Sequence, residues 1–233
     1  MINAHKMTAR RRILNAVLWA VCSMSAPITM ASSNALIDAG ETVEGVVTDI
    51  RYAGKKNFLG RPVAGYGAAK CWLSREAASA LSIAQRHAKS QGLAILIYDC
   101  YRPQRAVDDF VRWVNGNEDE PTKAIYYPNI PRRELIDRGY IASRSGHSRG
   151  STIDLTLLAK ESGQTINMGT PWDYFGARSH TASQAIDAAA ARNRQILKRI
   201  MESAGFRGYY AEWWHFTLKD EPFPDSYFDI PIQ

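Results

Sequence analysis

The sequence predicts one α+β domain, a small, mainly antiparallel sheet flanked by helices. Three observations predict it. Apolar residues recur at helical spacing over 73–91, 104–115 and 181–205, whereas 93–99 and 151–157 read as strands. No repeat or long linker divides the chain after residue 33. The 233 residues, 45% hydrophobic and 22% charged, suffice for one substantial core.

Residues 45–51, GVVTDIR, read as a short strand. The segment 52–70 is rich in glycine and aromatics and reads as a loop wrapping the core, the kind that lines sites. Over 73–91, Ala77, Leu81, Ala84 and Ala88 form a helical stripe that Gly92 stops. LAILIYD, 93–99, is a buried strand; YRP turns the chain into a helix over 104–115, with Val107, Phe110, Val111 and Val114 as its stripe. Three prolines make 117–145 irregular. STIDLTL, 151–157, alternates Ile153, Leu155 and Leu157 as a strand does. A helix over 181–205 carries Ile186, Ala189, Ala190, Leu197, Ile200 and Ala204 roughly on one face, interrupted by Asn193 and ended by Gly205; Thr181 or Ser183 could cap it. YYAEWWHFTL, 209–218, is a late strand.

The first 33 residues follow the layout of a secretory signal peptide: a basic start, a short apolar run from Ile13 to Cys22, then small residues. The run is too short for a membrane span, so no stable membrane insertion is expected after cleavage near residues 31–35. RRRILN loosely resembles a twin-arginine signal, and the alternative is a basic amphipathic arm. The mature domain is then 34–233, periplasmic or otherwise exported. The formal net charge of +6 shrinks accordingly. Without Lys6, Arg10, Arg11 and Arg12, 25 basic residues face 23 acidic ones, a net of +2, which disfavours a nucleic-acid partner. Export leaves Cys71 and Cys100, either a disulfide or two buried thiols, and no cysteine pattern suited to zinc.

Four histidines remain. His87 sits in a helical pattern and His180 beside a helix cap, both suited to ordinary surface roles. His147 lies between Gly/Ser-rich turns and a strand, and Asp154 follows within apolar neighbours, where an unpaired charge is costly. Both residue types ligate zinc. His215 could be a third ligand and Glu212 a base activating water. Residues three apart on a regular strand face opposite sides, so the strand must bend to bring both to one metal. Asp99 and Arg102 stand at a strand end, where arginine suits a carboxylate or an oxyanion. From the residues alone, ion pairs, caps and solvent-facing positions explain each of these equally well.

The pattern S-x-H-x-x-G-x-x-x-D at Ser145, His147, Gly150 and Asp154, followed by E-x-W-H at 212–215, resembles the D-alanyl-D-alanine dipeptidases. These stand with the zinc D,D-carboxypeptidases in one broader metallopeptidase group. RYAGKKNFLGRPVAGY at 51–66, YDCYRP at 98–103 and NMGTPWD at 167–173 are similar to landmarks of the dipeptidase branch, and the resemblance covers about 45–220. It implies one zinc ion per chain, held at the sheet by His147, Asp154 and His215. It implies Glu212 as catalytic acid/base and Arg102 as the residue steadying the transition state. Asp173 would receive the free amino group of a small D,D-dipeptide, with Ser145 and Tyr52 near the substrate. The implied reaction is hydrolysis of D-Ala-D-Ala to two D-alanines, in cell-wall turnover or dipeptide salvage. Trp172 stands where the resemblance leads one to expect phenylalanine, and Ser151 to Ile153 replace commoner small residues. The rival enzyme is a zinc D,D-carboxypeptidase or L,D-endopeptidase acting on peptidoglycan peptides; the non-enzyme rival is a silent peptidoglycan-binding domain.

Overall fold

The computed structural model describes residues 35–233. The segment 1–33, read above as a signal peptide, lies outside the described residues. In chain order the elements are β1 (Leu36–Asp38), α1 (Ala39–Thr42), β2 (Val47–Thr48), β3 (Trp72–Ser74), α2 (Arg75–Lys89), β4 (Leu93–Asp99), α3 (Gln104–Asn115), α4 (Lys123–Tyr126), β5 (Thr152–Ala159), α5 (Ala188–Ser203), β6 (Phe206–Tyr209) and β7 (Glu212–Leu218).

Five strands form the main sheet in the order β2-β4-β5-β7-β6, and β1 pairs with β3 separately. Among the named strands only β2 and β4 run parallel; the other strand pairings are antiparallel, as expected of a mainly antiparallel sheet. In β5 the side chains of Ile153, Leu155 and Leu157 alternate with those of Thr152, Asp154 and Thr156. All six are buried, so elements cover both faces of the central strand. Helix α2 packs on β4 and α5, and α5 packs on β6. No described helix is long and apolar enough to cross a membrane.

The 73–91 stripe folds as α2, with Ser74 Oγ accepting from the Ala77 amide at 3.2 Å as its cap and Ala77, Leu81, Ala84 and Ala88 buried. In α3, Trp113 joins the core stripe, and Val111 is only half-buried.

Three expectations need correction. The last helix begins at Ala188, not 181, and its cap is Asp187, whose Oδ1 accepts from the Ala190 amide at 2.7 Å. Thr181 is engaged elsewhere: its amide bonds to the Tyr210 carbonyl at 2.9 Å and its hydroxyl to that of Tyr209. The strand expected over 209–218 starts at Glu212 as β7; Tyr209 ends the preceding strand β6, and Tyr210 and Ala211 make the tight turn between them. Of the strand expected at 45–51, only Val47–Thr48 joins the sheet, and Arg51–Ala53 makes a 3-10 turn. Asn193, the polar interruption in α5, donates to the Asn167 carbonyl at 2.9 Å and tethers the helix to that loop.

Cys71 and Cys100 form a disulfide with Cα atoms 5.2 Å apart. It joins the chain just before β3 to the residue that follows β4, at the base of the site.

Candidate active site

β4, β5 and β7 lie side by side and bring three polar residues into one row. Asp154 pairs with His215 across the β5–β7 ladder, so their side chains share a face. Asp99 pairs with Asp154 on the other side through a bulge. Ile97 opposes Leu155, and Asp99 rather than Tyr98 then opposes Asp154. A one-residue shift turns a side chain to the other face. Here it brings Asp99 to the Asp154 side, fully buried, where Tyr66 Oη donates to it at 2.5 Å and Arg102 Nη2 at 2.8 Å.

His147 comes from a 3-10 turn, Gly146–Arg149, directly before β5. Ser145 Oγ caps the turn by accepting from the His147 amide at 3.2 Å. Gly150 ends it at φ +76°, a left-handed conformation that favours glycine. His147 is buried, with Nδ1 2.6 Å from the Cys100 carbonyl. That bond engages Nδ1 and leaves Nε2 as the ring nitrogen facing the site.

Glu212 and His215 meet because β7 is distorted. Gly208 opposes Phe216 but its neighbour Tyr209 opposes Glu212, so three residues of β7 have no partner on β6. This wide bulge is the bend that the spacing required. Glu212 Oε2 lies 3.5 Å from His215 Nδ1. Trp213 and Trp214 are both buried, and the Trp213 indole donates to Thr170 Oγ1 at 2.8 Å, which holds the bulge in place.

Three atoms converge. His147 Nε2 and His215 Nδ1 lie 3.2 and 3.1 Å from Asp154 Oδ1 and 3.3 Å from each other. Asp154 Oδ1 is buried and accepts no hydrogen bond of acceptable geometry. Three electron-pair donors facing one point are unfavourable without a cation. Zinc bonds of about 2.0–2.2 Å set tetrahedral corners about 3.3 Å apart. The donor types and their spacing fit one metal ion held by two histidines and an aspartate.

The electrostatics match. Burial works to raise the Asp154 carboxyl, but positive charge at the His147 and His215 rings, the place a metal ion would take, outweighs it and holds that group far below the usual range. Burial pushes Glu212 up to about 7, with Asp154 adding to the rise and His215 opposing it. Burial and then the Asp154 charge push Asp173 well above the carboxylate range, against a 2.6 Å hydrogen bond from Tyr52 Oη. Asp173 is a non-glycine residue at φ +59°, a costly conformation found at functional sites. Arg102 sits under the cavity, its guanidinium 5.0 Å from the Tyr52 ring centroid and 3.7 Å from Asp154 Oδ2.

These groups open on a cavity of about 280 Å³. It falls just below the range of drug-sized sites, about 300–1,000 Å³, and suits a small ligand. All eight residues named from the sequence line it: Tyr52, Arg102, Ser145, His147, Asp154, Asp173, Glu212 and His215. His87 and His180 do not; His87 Nδ1 lies 2.7 Å from Ser203 Oγ and His180 packs on Tyr210. Sequence reasoning missed Tyr66 as a partner of Asp99, although it sits in the glycine-rich 51–66 landmark. It noted Trp172 only as an unexpected residue type and did not foresee that its Nε1 donates to Asp154 Oδ2 at 3.3 Å.

The chain matches the peptidase M15 family, described as D-ala-D-ala dipeptidase, over residues 32–233. It is similar to a D-alanyl-D-alanine dipeptidase of Enterococcus faecalis, 47% identical over 85% of this chain and 98% of that one. A D-alanyl-D-alanine dipeptidase of Streptomyces coelicolor is 47% identical over 87% of this chain and 100% of its own length. The D-alanyl-D-alanine dipeptidase of Escherichia coli is 33% identical over 81% of this chain and 87% of its own.

Proposed function

This chain belongs to the peptidase M15 family of D-ala-D-ala dipeptidases, and from that membership and the site geometry we propose that it hydrolyses D-Ala-D-Ala to two D-alanines with one zinc ion per chain. One observation carries the proposal: three metal-ligating atoms lie 3.1–3.3 Å apart beside a carboxyl pushed up to about 7.

His147 Nε2, Asp154 Oδ1 and His215 Nδ1 would hold the ion. When bound, zinc supplies a Lewis acid that acidifies water and polarises the scissile carbonyl. Glu212, adjoining the His215 ligand atom, takes the proton as water attacks and delivers it to the leaving amine. Arg102 keeps its charge at all working pH values and aims guanidinium donors at the developing oxyanion. Asp99 holds that guanidinium in place through two donors, Nε at 3.0 Å and Nη2 at 2.8 Å.

Asp173 and Tyr52 receive the substrate's ammonium. A buried carboxyl with a raised pKa gains a counter-charge when a cation arrives, which makes a free amino terminus a requirement. Ser145 lines the cavity beside the substrate while its side chain caps the His147 turn. The small cavity excludes longer peptides. An exported location is supported by the disulfide, which persists in oxidising compartments. There the activity serves cell-wall turnover or salvage of released dipeptide.

The test compares zinc-loaded enzyme on D-Ala-D-Ala and on N-acetyl-D-Ala-D-Ala. The free dipeptide should be cleaved far faster. Faster cleavage of the blocked peptide would replace the dipeptidase reading with a carboxypeptidase one.

A further inference from the structure

Asp154 has two oxygens, and only Oδ1 faces the histidine nitrogens. What holds Oδ2 away decides which oxygen ligates. The donor within hydrogen-bond reach of it is the indole Nε1 of Trp172 at 3.3 Å; Arg102 Nη2 stands farther off at 3.7 Å.

Trp172 is fixed well enough to orient another group. It is buried, and its ring centroid lies 5.0 Å from that of Tyr52 and 5.6 Å from that of Tyr98. A buried indole N–H needs an acceptor, and Asp154 Oδ2 provides it. The backbone is arranged to the same end. Neighbouring side chains in extended chain point apart, yet Trp172 reaches Asp154 while Asp173 reaches Tyr52, and those two partners line the same cavity. The left-handed conformation at Asp173 makes that turn and is retained despite its cost.

We infer that Trp172 is a positioning residue: its indole N–H ties up Asp154 Oδ2 and so presents Oδ1 alone to the metal. The inference rests on the metal reading proposed above. Hydrogen bonds to a ligating carboxylate restrict its rotation, and losing such a partner costs about 10–100-fold in metal affinity or activity.

The experiment uses two replacements. Trp172→Phe removes the donor together with part of the ring. Trp172→3-benzothienylalanine keeps the bicyclic shape and exchanges only N–H for sulfur. Zinc dissociation constants are measured by competition with a chromophoric chelator, and urea unfolding is followed on the chelated proteins. The isostere should bind zinc about tenfold more weakly than wild type, with unfolding of the chelated protein unchanged. Trp172→Phe, if it folds, should weaken zinc at least as much. An isostere that binds zinc as wild type does would overturn the inference whatever Trp172→Phe does, because packing alone would then be the tryptophan's contribution. Wild type that takes up no zinc would instead sink the metal reading. Zinc binding without D-Ala-D-Ala cleavage would sink the substrate while the affinity comparison still decides the role of Trp172.

Discussion

Replacing Glu212 by glutamine should flatten the pH dependence of stability in the zinc-free protein. Burial raises the Glu212 carboxyl from its ordinary value of 4.5 to about 7 in the folded chain. The folded state therefore keeps this proton to higher pH than the unfolded state does. The protonated carboxyl's full contribution is present below about 4.5, declines as pH rises, and is lost above about 7. A tenfold difference in proton affinity between the two states corresponds to about 1.36 kcal/mol, and integrating between pH 5 and 8 gives about 2.5 kcal/mol. The side chain keeps 19% exposure, so solvent relieves part of this and leaves about 2 kcal/mol. Urea unfolding of chelated protein at pH 5 and pH 8 measures it. The wild type should lose about 2 kcal/mol more than Glu212→Gln over that interval. Equal losses in the two proteins would refute the reasoning, because Glu212 would then not be held protonated by its surroundings. Zinc adds positive charge beside the carboxyl and reverses the effect. In the loaded enzyme the acid limb of kcat/KM should accordingly fall below pH 7.

Glu212→Gln should keep one zinc per chain by metal analysis while kcat drops about 10²–10⁴-fold; an active variant would remove Glu212 as the base. Arg102→Lys, which keeps a charge for Asp99, should lower kcat on D-Ala-D-Ala about 10²–10³-fold with little change in KM. Arg102→Ala should in addition cost about 3–5 kcal/mol in urea unfolding, because Asp99 is fully buried and would keep only Tyr66 as a strong donor. The disulfide spans 29 residues, so Cys71→Ser with Cys100→Ser should cost about 3–4 kcal/mol by the chain-entropy relation, read as a lower urea midpoint.

Periodicity made the regular scaffold legible. The stripe of Ala77, Leu81, Ala84 and Ala88 and the alternation through Ile153, Leu155 and Leu157 each folded as their spacing required. It overreached at 181–187, where serine and threonine looked like caps but Asp187 makes the capping bond. A local rule offers several candidate caps, and tertiary contacts choose among them. Arg194 shows the same limit. It lies on the buried side of α5, and its guanidinium donates to the carbonyls of Met168, Arg178 and His180, a network no window of sequence displays. Trp172 was visible only as an unexpected residue type. What its extra nitrogen does became visible once Asp154 was seen 3.3 Å away.

The site was harder to read for a physical reason. A regular ladder delivers one pair to it, Asp154 and His215. Every other group arrives through a departure from regularity. A bulge at the end of β4 turns Asp99 inward, and the three-residue excess in β7 returns Glu212 to the face of His215. A left-handed glycine closes the turn that carries His147, and a left-handed aspartate turns residues 172 and 173 so that one meets Asp154 and the other Tyr52. Alternation on a strand places like side chains two residues apart, which separates charged groups rather than gathering them. Gathering these six ionisable side chains around one point therefore requires breaks in the pattern. Those breaks are held by buried packing, the two tryptophans of β7 among it, because an unsupported bulge would relax and part the ligands. Glu212 and His215 could be paired from the sequence by resemblance, since their spacing pointed to opposite faces. The distortion that unites them is a property of the whole sheet.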